Sequence, residues 1–246
     1  MTIAIGFKCQ NGIVLCTDSM ESDGVTKREA IKIWAYQVAH DWGIAVASAG
    51  ESDLADSFTS ALPEVLGKGD YDRAAVLAKL RQAISHTRRS YPNSDLAMLI
   101  GIFNRLWYPY AELFRVMPGS VHLGPVQRHQ SIGIAANLTN FLCSQLYNWG
   151  MTVEEAIRLG VFAIARAKEH VDGCGGPTMV LTYTEKDEFW RGENTEKLEE
   201  ELNARGFRAA MEHYWESHNP PLKHRFPDHG DGGSTIEIEC DKEESA

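Results

Sequence analysis

The first eighteen residues constrain the fold more than any other stretch, because they predict a β-hairpin that begins almost at the start of the chain. Two short apolar runs, at 3–6 and 13–16, flank the polar turn Gln10-Asn11-Gly12. Asn and Gly tolerate the positive φ that a tight hairpin turn requires. The second predicted strand closes at Asp18, so a carboxylate should lie beside the chain start.

Thr2 is a candidate nucleophile. The initiator methionine is normally removed when a small residue follows it, and removal would leave Thr2 with a free amine and a hydroxyl. A threonine hydroxyl needs an adjacent base to attack, and an N-terminal amine is one base that can serve. The alternative is an ordinary strand residue behind a retained Met1, and the hairpin alone does not decide between the two.

Two later residues bear on the same chemistry. Lys32 lies between apolar residues in a strand-like run, where a lysine is either an edge-strand gatekeeper or a partly buried proton acceptor with a lowered pKa. Residues 42–50 predict a buried strand that passes through Gly50 into a helix start at Glu51-Ser52-Asp53. Backbone N–H groups at such a junction suit a developing oxyanion.

Together, Thr2, Gly6, the Asn11-Gly12 turn, Asp18, Lys32 and the Ala49-Gly50 pair resemble the N-terminal third of proteasome β-type subunits. These subunits are threonine proteases of the N-terminal-nucleophile (Ntn) hydrolase superfamily. The order of elements extends the resemblance to about Tyr183. The absence of an evident propeptide and the C-terminal extension favour a divergent bacterial homologue such as Anbu over an archaeal, actinobacterial or heat-shock-type subunit.

The order of elements predicts an α+β protein, a four-layer αββα sandwich of two antiparallel sheets with a helix pair on each outer face. The resemblance implies the same Ntn-hydrolase fold for residues 1–184. Helices are predicted at 52–66, 71–90, 137–149 and 152–171, with Asn137 as a cap and Thr152 opening a capping box. Residues 185–246 are predicted to be an extension, helical but broken at Gly206, then a polar tail with an edge strand at 235–239.

The resemblance implies a role for each of four residues. Thr2 would be the nucleophile, Lys32 would lie near its hydroxyl, Asp18 would orient the lysine, and the Gly50 N–H would stabilise the oxyanion. Side-chain-pocket positions of the family fall near four small or neutral residues, which indicate no charge preference in the substrate: Met20, Ala30, Ser48 and Ser52.

Some supporting positions depart from the family pattern. The family has a serine after the glycine of Ser131-Ile132-Gly133, where this chain has Ile134. A second family serine corresponds to Cys174, which is expected to act as a weak hydrogen-bonding substitute. The associated aspartate is expected at position 171, occupied by valine, and the neighbouring Asp172 could serve after a small shift.

Composition excludes several classes of function. The net charge of −10 argues against a general nucleic-acid binder. No signal peptide or membrane-spanning run is visible, and five widely spaced cysteines indicate reduced thiols in a cytoplasm: Cys9, Cys16, Cys143, Cys174 and Cys240. Four C-terminal histidines lack the spacing of known metal sites and favour a polar loop: His213, His218, His224 and His229. No cofactor or metal is therefore expected.

Three functions remain open. The first is a threonine peptidase that forms an acyl-enzyme on Thr2 after Met1 is removed. The second is a catalytically weak or inactive ring-forming scaffold, and the third is a small-molecule amide hydrolase with the same superfamily chemistry. The resemblance implies self-association into rings or stacked rings, peptide or unfolded-protein substrates and an ATP-dependent unfoldase partner. It does not fix ring size or cleavage preference.

Overall fold

The structure, a computed structural model, describes residues 2–22, 26–39, 42–67, 72–92, 94–105, 110–184, 190–191 and 195–218. The predicted edge strand at 235–239 lies outside these residues, as do His224 and His229. Within the described ranges, no cluster of three or more potential metal ligands occurs. None of the described helices combines the length and the hydrophobicity that a bilayer crossing requires.

The described residues contain twelve strands, ten of which form two five-stranded antiparallel sheets. In chain order the strands are β1 (Ile3–Cys9), β2 (Gly12–Asp18), β3 (Met20–Ser22), β4 (Lys27–Glu29), β5 (Ile33–Ala39), β6 (Trp42–Ala49), β7 (Ala97–Asn104), β8 (Ala111–Val116), β9 (Gly124–Val126), β10 (His129–Gly133), β11 (Thr178–Thr184) and β12 (Trp190–Arg191). The first sheet has the order β10-β1-β2-β11-β12 and the second the order β5-β6-β7-β8-β9.

Helices cover the outer faces of both sheets. They are α1 (Ser52–Leu66), α2 (Arg73–Ser90), α3 (Ala136–Leu146), α4 (Val153–His170), α5 (Thr195–Arg205) and α6 (Phe207–His218). Helices α1 and α2 pack on the second sheet, while α3 and α4 pack on the first. The predicted four-layer αββα sandwich is confirmed.

The two sheets pack face to face through a layer of small and apolar side chains. Phe103 of β7 stacks on Tyr183 of β11 with ring centroids 4.0 Å apart, which joins the sheets directly. Aromatic rings bury a large apolar area, so this contact contributes strongly to the inter-sheet core. Successive strand residues point to opposite faces, and Ala4 and Leu15 accordingly face this layer while Ile3 and Cys16 face α3 and α4.

The N-terminal hairpin is confirmed, but its turn lies one residue earlier than predicted. Gln10 and Asn11 form the turn, and Gly12 already belongs to β2. Gly12 is needed for close packing, because a Cβ there would lie 2.0 Å from the Tyr183 carbonyl oxygen. The Asn11 side chain accepts a hydrogen bond from the Val153 N–H at 2.9 Å, so it ties the turn to the start of α4.

The helix starts were predicted with mixed success. The capping box of α4 is confirmed, with Thr152 and Glu155 exchanging side-chain-to-backbone hydrogen bonds. The prediction that Asn137 caps α3 is wrong, because the helix begins at Ala136, after Ala135, without a side-chain cap. A helix cap needs extended backbone one position before the helix, and Asn137 already lies within the first turn.

The C-terminal extension contributes two helices to the layer outside the first sheet. Leu202 of α5 and Phe207 and Ala210 of α6 are buried in the same core as α3 and α4. The predicted break at Gly206 is confirmed by its positive φ of 76°, which separates the two helices. The division of the chain at residue 184 into a domain and an extension remains a prediction.

Candidate active site

Asp18 is completely buried at the end of β2 and accepts hydrogen bonds on both carboxylate oxygens. Its Oδ1 accepts from Lys32 Nζ at 2.9 Å and from the Ile3 N–H at 3.2 Å. Its Oδ2 accepts from the Gly175 N–H at 3.1 Å. A buried carboxylate requires such donors, because an unpaired charge in the interior is very costly. Asp18 thus links the chain start, the lysine and a later loop.

Lys32 lies just before β5, with only 5% of its surface exposed. Besides Asp18, its ammonium donates to the Met20 carbonyl oxygen. Burial lowers the pKa of Lys32 from its ordinary value, and the adjacent Asp18 carboxylate partly opposes that shift. A lysine with a lowered pKa can exchange a proton more readily near neutral pH.

Thr2 is held in place immediately before β1, with 5% of its surface exposed. Its carbonyl oxygen accepts a hydrogen bond from the Ile134 N–H at 3.0 Å. Gly133 has a positive φ of 100°, and a Cβ there would lie 1.9 Å from the Thr2 carbonyl oxygen. The next backbone N–H, that of Ile3, donates to Asp18, so β1 fixes Thr2 beside the carboxylate that holds Lys32.

Thr2 and Gly50 line one cleft, whose volume is about 430 Å³. Gly50 has a φ of 113° and connects β6 to α1, and a Cβ there would lie 1.7 Å from the Asp95 carbonyl oxygen. The other lining residues are Ala49, Asp95, Ala97, Met117, Pro118, Ser131, Ile132, Gly133, Ile134 and Ala136. The residue predicted as nucleophile and the residue predicted to stabilise the oxyanion therefore share one space.

None of the four predicted pocket residues is among those that line this cleft, and two of them contact Lys32. Met20 provides the carbonyl that accepts from Lys32, and the Ser48 N–H donates to the Lys32 carbonyl oxygen at 3.1 Å. The Ala30 N–H donates to the Ser19 carbonyl oxygen at 2.8 Å, and Ser52 begins α1. The structure thus brings Met20 and Ser48 into contact with the lysine.

Ser52 also contacts a charged residue, Glu21. Its side chain hydrogen-bonds to the Glu21 carboxylate, and this contact, followed by the one from Arg28, lowers the pKa of Glu21. Between Ser19 and Ala30, strands β3 and β4 pair antiparallel and carry Glu21 and Arg28.

The two predicted supporting residues differ in burial. Asp172 is exposed in the turn that follows α4. Cys174 is 7% exposed, and burial followed by the nearby Asp18 charge raises the pKa of its thiol to about 11. Cys174 is therefore a neutral thiol beside Asp18 and Lys32, which fits a weak hydrogen-bonding group better than a nucleophile.

The structure adds a contact that sequence reasoning missed. The Gly175 N–H donates to Asp18, and the Gly175 carbonyl oxygen accepts from the Met20 N–H at 3.0 Å. A Cβ at Gly175 would lie 2.9 Å from the Met20 sulfur, so a larger residue there would require the flexible Met20 side chain to shift. The glycine-rich stretch at 173–176 is typical of a loop, but it gives no indication of the loop's partner.

The sandwich and the buried Lys32–Asp18 pair beside Thr2 define a proteasome-β-like Ntn-hydrolase fold. Solved structures of Anbu are among those that match the chain in fold. A mutant of Anbu from Hyphomicrobium sp. strain MC1 has 16% sequence identity and a TM-score of 0.71, and the match covers 86% of this chain and 97% of the other. The resemblance inferred from the sequence is confirmed at the level of the fold.

Two further structures give the same result. Anbu (ancestral beta-subunit) from Yersinia bercovieri has 14% identity and a TM-score of 0.70, over 86% of this chain and 97% of the other. The helical assembly of the Anbu complex from Pseudomonas aeruginosa has 13% identity and a TM-score of 0.69, over 86% of this chain and 96% of the other. Sequence comparison gives no match to a protein-family model or to a curated protein.

Proposed function

We propose that the chain is an N-terminal threonine hydrolase of proteasome type, which cleaves peptide bonds after removal of Met1. The observation that carries the proposal is the convergence of Lys32 Nζ and the Ile3 N–H on one oxygen of buried Asp18, directly beside Thr2. A buried lysine beside Thr2 can stabilise charge that develops on the Thr2 hydroxyl oxygen. A Lys32–Asp18 pair without such a role would cost free energy of desolvation and give little stability in return.

In the proposed mechanism the Thr2 hydroxyl attacks a peptide carbonyl carbon while its proton passes to the freed Thr2 amine. Lys32, held by Asp18, stabilises the developing alkoxide electrostatically. The Gly50 N–H donates to the tetrahedral oxyanion. Collapse of this intermediate breaks the C–N bond, the leaving amine takes the proton, and an ester remains on Thr2. Attack by water on that ester releases the acid and restores the hydroxyl.

We also propose that the chain associates with copies of itself. The Anbu of Pseudomonas aeruginosa is described as a helical assembly, and that structure shares this fold. Large apolar side chains are exposed along and beside α3 in this chain, namely Ile134, Phe141 and Trp149. Exposed apolar surface of this kind is typical of an interface. The predicted unfoldase partner, the peptide substrates and the cytoplasmic location remain predictions.

Intact-mass measurement tests the catalytic proposal. The purified chain is treated with an electrophile that reacts with both the amine and the hydroxyl of an N-terminal threonine. Loss of Met1 and a single adduct that maps to Thr2, absent in Thr2→Ala and present in Thr2→Ser, would support the hydrolase. Retained Met1 or an absent adduct would contradict it and favour the scaffold.

Substrate class is tested in the same preparation. Fluorogenic peptides and small aliphatic amides are compared at equal concentration, with Lys32→Met as the inactive control. Turnover of peptides that disappears in Lys32→Met is the expected result. Turnover of small amides alone would replace the peptidase proposal with the small-molecule amide hydrolase.

A further inference from the structure

Three side chains from different elements meet at the base of the loop that carries Gly175. Lys168 Nζ of α4 donates to Thr178 Oγ1 of β11 at 2.8 Å and to Glu199 Oε2 of α5 at 2.7 Å. Thr178 Oγ1 donates in turn to the same Glu199 oxygen at 2.9 Å. Each pair in this triangle is hydrogen-bonded, so α4, β11 and α5 are fixed to one another at a single point.

Lys168 and Thr178 stand at the two ends of the loop at 171–177. The loop leaves α4 two residues after Lys168 and enters β11 at Thr178, so their hydrogen bond closes it at its base. Thr178 is also the residue that pairs with Asp18 in the β2–β11 register. The loop therefore ends beside the carboxylate that holds Lys32.

The tip of the same loop sets the position of both acceptors of Lys32. The Gly175 N–H donates to Asp18 Oδ2, and the Gly175 carbonyl oxygen accepts from the Met20 N–H. Lys32 Nζ donates to Asp18 Oδ1 and to the Met20 carbonyl oxygen. A shift of Gly175 together with the two peptide groups that flank it would therefore move both partners of the lysine.

Helix α5 supplies a second contact with the base of the loop. Thr195 Oγ1 donates to the Thr178 carbonyl oxygen at 2.6 Å, and Thr195 lies one helical turn before Glu199. Residues four apart lie on the same face of a helix, so both side chains face β11. The Lys168–Glu199 pair is mostly shielded, with side-chain exposures of 14% and 21%, and shielding strengthens charge-assisted hydrogen bonds.

We propose that Glu199 is a positioning residue of the active site, which acts through Lys168 and Thr178 to hold the Gly175 loop against Asp18 and Met20. The C-terminal extension is then part of the catalytic apparatus although it contributes no group to the cleft. The kinetic part of this inference rests on the proposed hydrolase function, whereas its structural part does not.

The test compares two disrupting variants with two matched controls. Glu199→Gln removes the charge, and Thr178→Val removes the hydroxyl while keeping the shape of the side chain. Glu201→Gln is the control on the same helix, since Glu201 faces Arg158 of α4 at the longer distance of 3.9 Å. Thr178→Ser is the control at the same position, since serine keeps the hydroxyl that valine lacks. A thermal melt of each variant identifies any that fails to fold.

The first measurement is hydrogen exchange of the peptide at 171–178, followed by mass spectrometry on the full chain. Exchange at the Gly175 amide is expected to accelerate about tenfold or more in Glu199→Gln and Thr178→Val. In Glu201→Gln and Thr178→Ser it should stay within about twofold of wild type. Unchanged exchange in both disrupting variants, or equal acceleration in Glu201→Gln, would overturn the inference.

The second measurement is the rate of peptide cleavage. Misplacement of a catalytic group by about 1 Å costs on the order of a hundredfold in rate, so kcat should fall about tenfold or more with KM nearly unchanged. Thr178→Ser should recover the wild-type kcat. An equal change in kcat and KM, or a failure of Thr178→Ser to recover, would refute the positioning role. Wild-type protein without turnover would refute the hydrolase, and the exchange experiment would still decide the structural claim.

Discussion

Replacing Asp18 with asparagine should destabilise the protein strongly. The substitution keeps the shape but removes the only counter-charge that the described residues show bonded to the Lys32 ammonium. Removing one partner of a buried ion pair typically costs about 3–5 kcal/mol, because the other charge is left uncompensated. Asp18 is 0% exposed and also accepts from the Ile3 and Gly175 N–H groups, so the upper part of that range applies.

The dependence on pH has a definite sign. The pKa of Lys32 is lowered in the folded protein, so at high pH the unfolded chain binds more protons than the folded protein does. The free energy of unfolding therefore rises as the pH approaches the ordinary lysine pKa of 10.5. Loss of the Asp18 charge lowers the pKa of Lys32 further. The destabilisation of Asp18→Asn relative to wild type should therefore be smaller at pH 9.5 than at pH 7.

Urea unfolding at the two pH values measures both effects. The double variant Asp18→Asn, Lys32→Met should recover much of the loss, since replacing both partners of a buried pair is often close to neutral. Glu112→Gln is the surface control: its partner Arg73 is half exposed, so a cost below about 1 kcal/mol is expected. A cost for Asp18→Asn below about 1 kcal/mol, or strict additivity of the two single variants, would refute the reasoning.

Three smaller predictions concern single residues. Gly50→Ala should cost about 2–3 kcal/mol in urea unfolding, since the new Cβ would lie 1.7 Å from the Asp95 carbonyl oxygen; unchanged stability would contradict the geometry. The alkylation rate of Cys174, followed by peptide mapping, should reach half its maximum only near pH 11. Rapid labelling at pH 8 would show that the thiol is not shielded. Thr152→Ala should cost about 1 kcal/mol, whereas Asn137→Ala should cost less than about 0.5 kcal/mol because Asn137 caps no helix.

The sequence predicted elements whose signal is local. Leu54, Phe58 and Leu62 recur at helical spacing and are buried on one face of α1, as expected. Pro63 lies inside α1 and does not end it, because the helix continues to Leu66. The hairpin of β1 and β2 was predicted because its strands adjoin in sequence, and with it came the placement of Asp18 beside the chain start.

Contacts made by backbone groups could not be predicted in the same way. The Gly175 N–H and the Met20 carbonyl oxygen hold Asp18 and Lys32, but every residue carries the same peptide group, so neither has a sequence signature. The cleft was missed for a related reason. Asp95 and Met117 join Thr2 only through the packing of one sheet on the other.

The central position of β1 has a practical consequence for anyone who produces this protein. Because β1 pairs with β10 on one side and with β2 on the other, a peptide fused directly ahead of Thr2 continues from a central strand and not from an edge strand. Thr2 lines the cleft that it shares with Gly50, so such a peptide would begin at that cleft. Affinity tags therefore belong at the carboxyl end, and a removable leader at the amino end would serve as a reversible plug of the cleft.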